Sequence, residues 1–500
     1  MRIQNILLTT CFALAFASVS RGQGANNAEL KGDYAFSFNG MTTGGNGAST
    51  PFAAVGRFTA DGAGNLTNGE LDSNGLGVSL GGVEKAVALA FTGTYSIGAD
   101  HRGVMSLNIP GGGTLAFAMA SNGNAKFVEV DASGGHGTVG SGTMERADVT
   151  AYSTAKITGD YAFGAAGLDQ SNNRMAIAGR FTANGAGMFG NGAADVNQSG
   201  NFTTLNLLAG TYMVTDAATG RGTMNFPPVI GGALQNLDFV FYIANGGKVF
   251  VMETDAVSPM TPLLNGTMLQ QQTPLGGFSS TSLNGNTVMY LTGRTVCAGA
   301  TSAGPNVIAG LLSTDGVGIA SLTYDQNCEG APTSVGGLAG TYSVASNGRA
   351  AFRLGGAYVA AYLVSSDQAF FIVPDSSVLF GFGEAQAAGS FTNSAVAGRY
   401  SGSTTAAAAL GVTIFSGEFT ADGAGPTGNI TGSEDIGAPS GPSLAVPANA
   451  TYSISSAPTN GRGSIAGGIG GSGVVYVVSP AKFVVVSLSD PNPAVLVFEQ

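Results

Sequence analysis

The sequence predicts an all-β chain of four tandem units, each an antiparallel up-and-down meander that closes into an eight-stranded β-barrel. Three observations support this fold class. A short glycine-rich turn occurs four times, the landmarks after each copy keep the same order, and strand-like runs alternate with closely spaced turns. Because periodicity does not distinguish a closed sheet from two stacked sheets, a β-sandwich is the alternative for each unit.

The recurring turn reads FTADGAG, FTANGAG, LSTDGVG and FTADGAG, and its copies begin at Phe58, Phe181, Leu312 and Phe419. Each copy is followed by a Gly-Thr-Tyr or Ala-Thr-Tyr motif, then an arginine-containing turn, then a run that ends at an aspartate. Self-similarity in a fixed order is the signature of a repeat protein. We therefore place the units at residues 27–150, 157–272, 278–389 and 394–500.

Strands are clearest in the first unit, where bulky side chains alternate with small ones. Tyr34, Phe36 and Phe38 share one face of a strand, and their neighbours are small or polar. We expect the bulky face to point into the barrel, because eight strands leave just enough room for side chains. The glycine-rich outer face would let the sheet bend around them.

The residues Asp61 and Gly62, with their equivalents, have the chemistry of a hairpin turn, in which glycine supplies the positive φ. The oxygen donors Asp61, Asn65 and Asp72 also suggest a calcium site. However, the ligand alternation of an EF-type loop is missing, and Asn184 replaces the aspartate in the second unit. We interpret the motif as a structural turn and expect no bound metal or cofactor.

In a meander, the repeated turns lie at one end of each unit, which we call the constant end. The arginine-containing turn belongs to a neighbouring hairpin at the same end, so we expect its arginine to contact the first polar residue of the repeated turn. The predicted pairs are Asp61 with Arg102, Asn184 with Arg221, Asp315 with Arg349, and Asp422 with Arg462.

The opposite end of each unit, which we call the variable end, carries loops that differ in length and composition. Binding commonly evolves in such loops, although they could also be merely unconstrained. Two aspartates per unit fall near this end, where they could form an acidic rim that holds a cation, caps strand ends or remains hydrated. They are Asp72 and Asp131, Asp195 and Asp255, Asp325 and Asp375, and Asp435 and Asp490.

The N-terminal residues 1–24 have the pattern of a secretory signal peptide: one Arg, an apolar run and then small residues. Cleavage could follow Ala17 or fall as late as Gly24, and Cys11 leaves a lipoprotein-type anchor open. No later stretch is long and apolar enough for a membrane-spanning helix. We expect an exported protein, located in the periplasm, on the cell surface or in the medium.

Two cysteines, Cys297 and Cys328, remain after removal of the signal peptide. In an exported protein such a pair more often forms a disulfide than a metal or redox site. The meander places both at the variable end of the third unit, where a bridge would span the intervening strand.

The net charge of −11 argues against a nucleic-acid partner, which would need clustered Lys and Arg. Signals for catalysis are also poor. The two histidines, His101 and His136, both lie in the first unit, no Gly-x-Ser-x-Gly elbow precedes a helix, and no Trp offers a sugar platform. We therefore expect a protein that is not an enzyme.

The units resemble lipocalin-like and avidin-like barrels in their eight strands and in a Gly-x-Tyr motif that opens the first strand. This motif begins at Gly32, Gly159 and Gly398. Through its FTADGAG and GRG turns, the segment 27–500 also resembles uncharacterised glycine-rich exported repeat proteins of environmental bacteria. That second resemblance implies export and repetition but no known activity.

Two functions remain open from the sequence. In the first, variable loops bind a surface polysaccharide or a protein, and repetition adds avidity. In the second, each barrel carries a small apolar ligand, which would require an internal cavity of roughly 300 Å³ or more.

Overall fold

The computed structural model describes residues 24–43, 49–75, 85–110, 112–132, 137–226, 236–405, 413–438, 440–454, 459–469 and 471–500. The predicted signal peptide, except Gly24, lies outside the described residues, and so does His136. Parts of several loops at the variable ends also lie outside them.

The described residues form four closed antiparallel barrels, each with eight strands in sequence order. Within each barrel, every strand pairs with the next along the chain, and the eighth strand pairs with the first. This closure confirms the up-and-down barrel and rules out the sandwich alternative.

The strands of barrel 1 are β1 Lys31–Thr43, β2 Ser49–Asp61, β3 Asn65–Gly75, β4 Ala86–Ile97, β5 Arg102–Asn108, β6 Thr114–Met119, β7 Ala125–Glu129 and β8 Gly137–Arg146. Those of barrel 2 are β9 Thr158–Leu168, β10 Arg174–Asn184, β11 Met188–Gln198, β12 Asn201–Asp216, β13 Arg221–Phe226, β14 Leu237–Asn245, β15 Lys248–Glu253 and β16 Leu263–Gln270.

The strands of barrel 3 are β17 Asn284–Val296, β18 Ala303–Asp315, β19 Ile319–Cys328, β20 Ala331–Val344, β21 Arg349–Leu354, β22 Ala357–Leu363, β23 Gln368–Ile372 and β24 Phe380–Ala385. Those of barrel 4 are β25 Gly398–Thr404, β26 Ile414–Ala421, β27 Gly428–Gly437, β28 Ser443–Ile454, β29 Arg462–Gly467, β30 Gly473–Ser479, β31 Lys482–Ser487 and β32 Val495–Glu499. Short 3₁₀ turns precede the barrels at Asn27–Glu29, Val149–Ala151, Thr154–Lys156, Ser280–Ser282 and Asn393–Val396.

Bulky side chains fill the barrels, as the alternation predicts. Tyr34, Phe36 and Phe38 are buried in the core of barrel 1. Glycines on neighbouring strands make room for the aromatic rings: a Cβ at Gly103 would lie 2.3 Å from the ring of Phe117, its cross-strand partner. The glycine-rich composition is therefore what allows large rings to lie flat against the inner wall of a narrow barrel.

The small outer faces of the strands pack against neighbouring barrels. In barrel 1, Ala35 and Val55 are fully buried against Tyr242 and Met252 of barrel 2. Equivalent apolar contacts join barrels 2 and 3, barrels 3 and 4, and barrels 4 and 1. In each case strands 1–3 of one barrel meet strands 6–8 of the next, so the four barrels close into a ring.

Neighbouring barrels have the same orientation, with constant end beside constant end and variable end beside variable end. At the constant ends, ion pairs join Lys248 to Glu145 at 2.5 Å, and Lys126 to Glu499 at 3.4 Å. At the variable ends, the Asn74 side chain of barrel 1 donates to the Asp255 carbonyl of barrel 2 at 2.8 Å. The four variable ends therefore lie on one face of the ring, which we call the variable face. No helix within the described ranges is long and apolar enough to cross a membrane.

Candidate functional site

A buried aspartate, bound by an arginine and a tyrosine of the next barrel, joins each of the first three pairs of neighbouring barrels. Arg221, which begins β13, donates through Nε and Nη2 to the carboxylate of Asp72 in barrel 1, both at 2.7 Å. The hydroxyl of Tyr242, which pairs with Arg221 across the sheet, donates to the same carboxylate at 2.8 Å. Burial and the nearby negative charge of Asp72 raise the pKa of Tyr242, so its proton stays on the hydroxyl.

The same arrangement recurs at the next two interfaces. Arg349 and Tyr362 of barrel 3 bind Asp195 of barrel 2, with distances of 2.8 to 3.0 Å. In barrel 4, the side chains of Arg462 and Tyr476 bind Asp325 of barrel 3. Burial alone would raise the pKa of Asp325, but hydrogen bonds from Arg462, Ser334 and Tyr476 outweigh it and lower the pKa.

The interface that closes the ring is simpler. Arg102 of barrel 1 donates to Asp435 of barrel 4 at 3.1 Å and also to Asp100 on its own turn at 2.9 Å. Ala118 is the cross-strand partner of Arg102 and stands where the other barrels have a tyrosine. Gly437 stands where Asn74 lies in barrel 1, so the side-chain amide is also missing.

The predicted contacts between turn residues and arginines of the same unit are therefore wrong. Each turn residue instead accepts backbone amides of its own turn; Asp61, for example, accepts those of Ala63 and Asn65. Hydrogen bonds from Asn65 and from the turn amides lower the pKa of Asp61 to about 2. The same local bonds are made by Asn184, Asp315 and Asp422. Their arginine partners, Arg221, Arg349 and Arg462, reach the preceding barrel instead, because these turns meet the neighbour's third strand.

The predicted acidic rim separates into two groups. The first aspartate of each unit lies in an interface, out of contact with solvent; these residues are Asp72, Asp195, Asp325 and Asp435. The second aspartate of each unit accepts a backbone amide near a strand end; these residues are Asp131, Asp255, Asp375 and Asp490. Within the described part of the chain, no group of three or more His, Cys, Asp or Glu side chains could hold a metal ion.

The predicted disulfide is confirmed. Cys297, just after β17, is bonded to Cys328, the last residue of β19, with the two Cα atoms 5.7 Å apart. The bridge spans β18 at the variable end of barrel 3, as the meander requires. The one histidine within the described residues, His101, lies 2.7 Å from a Glu29 carboxylate oxygen. This pair ties a turn to the segment that precedes β1.

A cavity of about 230 Å³ lies on the axis of the ring, and all four barrels contribute to its wall. We call it the axial cavity. Its lining comes from the halves of the strands that lead to the variable face; it includes Asn39, Met41, Arg174, Asn265, Tyr290, Thr292, Phe370, Phe380, Phe382 and Thr405. None of these residues belongs to one of the repeated sequence motifs. Arg174 in particular is the first residue of β10, and the loop before it differs in sequence from the equivalent loops of the other repeats.

Among the described residues, each barrel also exposes one large apolar side chain at its variable end. They are Val87, Met260, Val296 and Leu444, whose exposed fractions are 60, 43, 59 and 40%. By contrast, the cavity inside barrel 1 has a volume of about 80 Å³ and is bordered by aromatic rings and by Glu129. Burial raises the pKa of the Glu129 carboxyl to about 9.

No protein-family model matches this sequence, and no curated protein matches it. Among solved structures, the chain is similar to a tryptophan-to-alanine mutant of the vaccine antigen transferrin binding protein B (TbpB) from Haemophilus parasuis Hp5. The two share 10% sequence identity over 77% of this chain and 85% of that chain, with a TM-score of 0.18. A TM-score this low does not establish a shared fold, and the barrels are identified from the strand pairing of this chain.

Proposed function

We propose that this protein is an exported, non-enzymatic binding protein that holds a partner on the variable face of its ring. The observation that carries the proposal is that ring closure brings the four variable ends to the same face. Four modest contact sites on one rigid body act together, because binding at one raises the effective concentration at the others. The disulfide between Cys297 and Cys328 agrees with export to an oxidising compartment.

The chemistry of this face favours a protein partner over a polysaccharide. Each barrel offers a large apolar side chain there, and such exposed groups commonly contribute to protein interfaces. The chain has no Trp to stack on sugar rings. Carriage of an apolar ligand inside barrel 1 has less support, because its cavity of about 80 Å³ is well below the roughly 300 Å³ that ligand pockets require.

A pair of fourfold variants tests the proposal. The first replaces Val87, Met260, Val296 and Leu444 with Ser on the variable face. The matched control replaces four comparably exposed side chains near the constant ends with Ser, namely Met188, Met213, Val317 and Ile319. The readout is the attachment of purified, labelled protein to cells of the organism that produces it.

We expect the variable-face variant to lose most of its attachment and the control to keep it, with both unfolding at the wild-type temperature. Equal attachment of the two variants would contradict the proposal. A stronger loss of attachment in the control would indicate that the binding surface lies at the constant ends.

A further inference from the structure

The axial cavity contains an arginine whose charge has no carboxylate partner among the described residues. Four arginines are fully buried among the described residues, and three of them pair with an aspartate: Arg57 with Asp33, Arg102 with Asp435, and Arg180 with Asp160. Arg174, the fourth, is 6% exposed and has no carboxylate partner in the described part of the chain. The whole chain has a net charge of −11, so a buried arginine without a carboxylate partner runs against the charge of the rest of the protein.

Neutral oxygens hold the Arg174 side chain in place. Nε donates to the Val378 carbonyl at 3.2 Å, and Nη2 donates to the carbonyl and the hydroxyl of Thr292 at 3.1 and 3.0 Å. Nη1 donates to no atom of the described residues. These bonds orient the guanidinium group and leave its positive charge uncompensated. A buried charge is costly unless a counterion is close.

The surroundings add positive charge to the site. Burial, and then the charge of the half-buried Arg294, lower the pKa of Arg174 to about 10, which still leaves it protonated at neutral pH. Burial lowers the pKa of Arg294, and the negative charge of Glu329 opposes that change. Glu329 is not among the groups that shift the pKa of Arg174. An anion entering the cavity would therefore meet an oriented guanidinium group with unused capacity to donate hydrogen bonds.

The rest of the wall is largely apolar. Phe370 lies at the centre of an aromatic group, with its ring centroid 5.1 Å from that of Phe382 and 6.4 Å from that of Phe380. All three rings line the same cavity as Arg174. The cavity therefore joins a cationic group to an aromatic surface within about 230 Å³, which suits a compact ligand.

We infer that the axial cavity binds a small organic carboxylate, whose carboxyl group pairs with Arg174 and whose apolar body lies against Phe370, Phe380 and Phe382. This site is separate from the partner surface proposed above and does not depend on it. The variable-face side chains tested there do not line the cavity, so either proposal can fail alone.

Isothermal titration calorimetry of the mature chain with benzoate, benzamide and inorganic phosphate tests the inference. Benzamide has nearly the same shape as benzoate without its charge, and phosphate has charge without an apolar body. We expect benzoate to bind with one site per chain, and both other compounds to bind more weakly by at least about tenfold. Arg174→Gln should abolish the preference for benzoate, whereas Arg353→Gln, on the exposed face of barrel 3, should retain it.

The comparison of the three compounds needs only the wild-type protein, so it remains decisive if Arg174→Gln fails to fold. Equal affinity for benzoate and benzamide would overturn the role of Arg174. Stronger binding of phosphate would overturn the role of the aromatic surface. No benzoate binding at millimolar concentration would overturn the inference as a whole.

Discussion

Arg102 of the first barrel donates a hydrogen bond to Asp435 of the fourth barrel at 3.1 Å, across 333 residues of sequence. This ion pair lies at the interface that turns a string of barrels into a ring. The other three interfaces add a tyrosine hydroxyl and, at the third strand, an asparagine amide, whereas this one has neither. Ring closure therefore depends on fewer polar contacts than the joints between consecutive barrels.

Removing the carboxylate of Asp435 should destabilise the protein strongly. In Asp435→Asn the buried charge of Arg102 loses its buried counterion, and breaking such a pair costs about 3–5 kcal/mol. Asp100 binds the same arginine but has a side chain that is 46% exposed, so Asp100→Asn should cost under about 1 kcal/mol. Urea unfolding of both variants checks this. Similar losses in the two would show that Asp435 contributes no more than a surface pair.

The tyrosine hydroxyls should contribute measurably to the interfaces. Tyr242→Phe removes a hydrogen bond to the Asp72 carboxylate, and bonds to charged groups are worth about 1.5–3 kcal/mol. Tyr324→Phe is the matched control, since its hydroxyl makes no hydrogen bond among the described residues. The difference between the two free energies of unfolding gives the contribution. No difference would mean that Asp72 is satisfied by Arg221 alone.

Stability should fall as pH rises, in part because of Glu253. Burial raises the pKa of this carboxyl from 4.5 to about 10. The folded chain therefore holds the proton more tightly than the unfolded chain, and the unfolding free energy decreases as pH rises between these two values. The equivalent position in barrel 3 is Val373, which does not titrate.

Glu253→Gln should accordingly raise the melting temperature at pH 8 more than at pH 5, and the wild type should melt lower at pH 8. The exposed Glu329→Gln variant serves as control and should change neither value. A melting temperature of Glu253→Gln that tracks the wild type at both pH values would refute this role for Glu253.

The disulfide should stabilise the third barrel. Replacement of Cys297 and Cys328 by Ser removes a cross-link between residues 31 positions apart, which typically costs about 2–4 kcal/mol. Denaturant unfolding, followed by proteolysis at partial unfolding, should locate the loss in barrel 3. Cleavage sites spread evenly over the four barrels would instead indicate that the ring unfolds as one unit.

Local patterns in the sequence were sufficient to predict the strands and their antiparallel order, and they favoured a barrel while leaving a sandwich as the alternative. The alternation of Tyr34, Phe36 and Phe38 identified the inner face, and the repeated turn identified the hairpin end. Both features depend on contacts within one unit, so the sequence of a single repeat is enough to show them. The disulfide also followed from strand order, because both cysteines fall at the same end of neighbouring hairpins.

The ring could not be predicted in the same way. Asp61 and Arg102 lie at the same end of one barrel, and nothing local shows that Arg102 pairs with Asp435 in another. The recurrence of tyrosine at positions 242, 362 and 476, with alanine at 118, was a usable signal that one unit differs. Arg174 gave no signal, since its isolation is visible only when the surrounding barrels are in place.

Zero-length carbodiimide cross-linking of the monomeric protein tests the closed ring most directly. The reagent joins a lysine to a carboxylate only when they are in contact, so Lys248 with Glu145 and Lys482 with Glu384 are positive controls at 2.5 and 2.6 Å. We expect mass spectrometry to find Lys126 joined to Glu499, which links the first barrel to the fourth. Detection of both control links without the link between Lys126 and Glu499 would contradict the ring and leave an open chain of barrels.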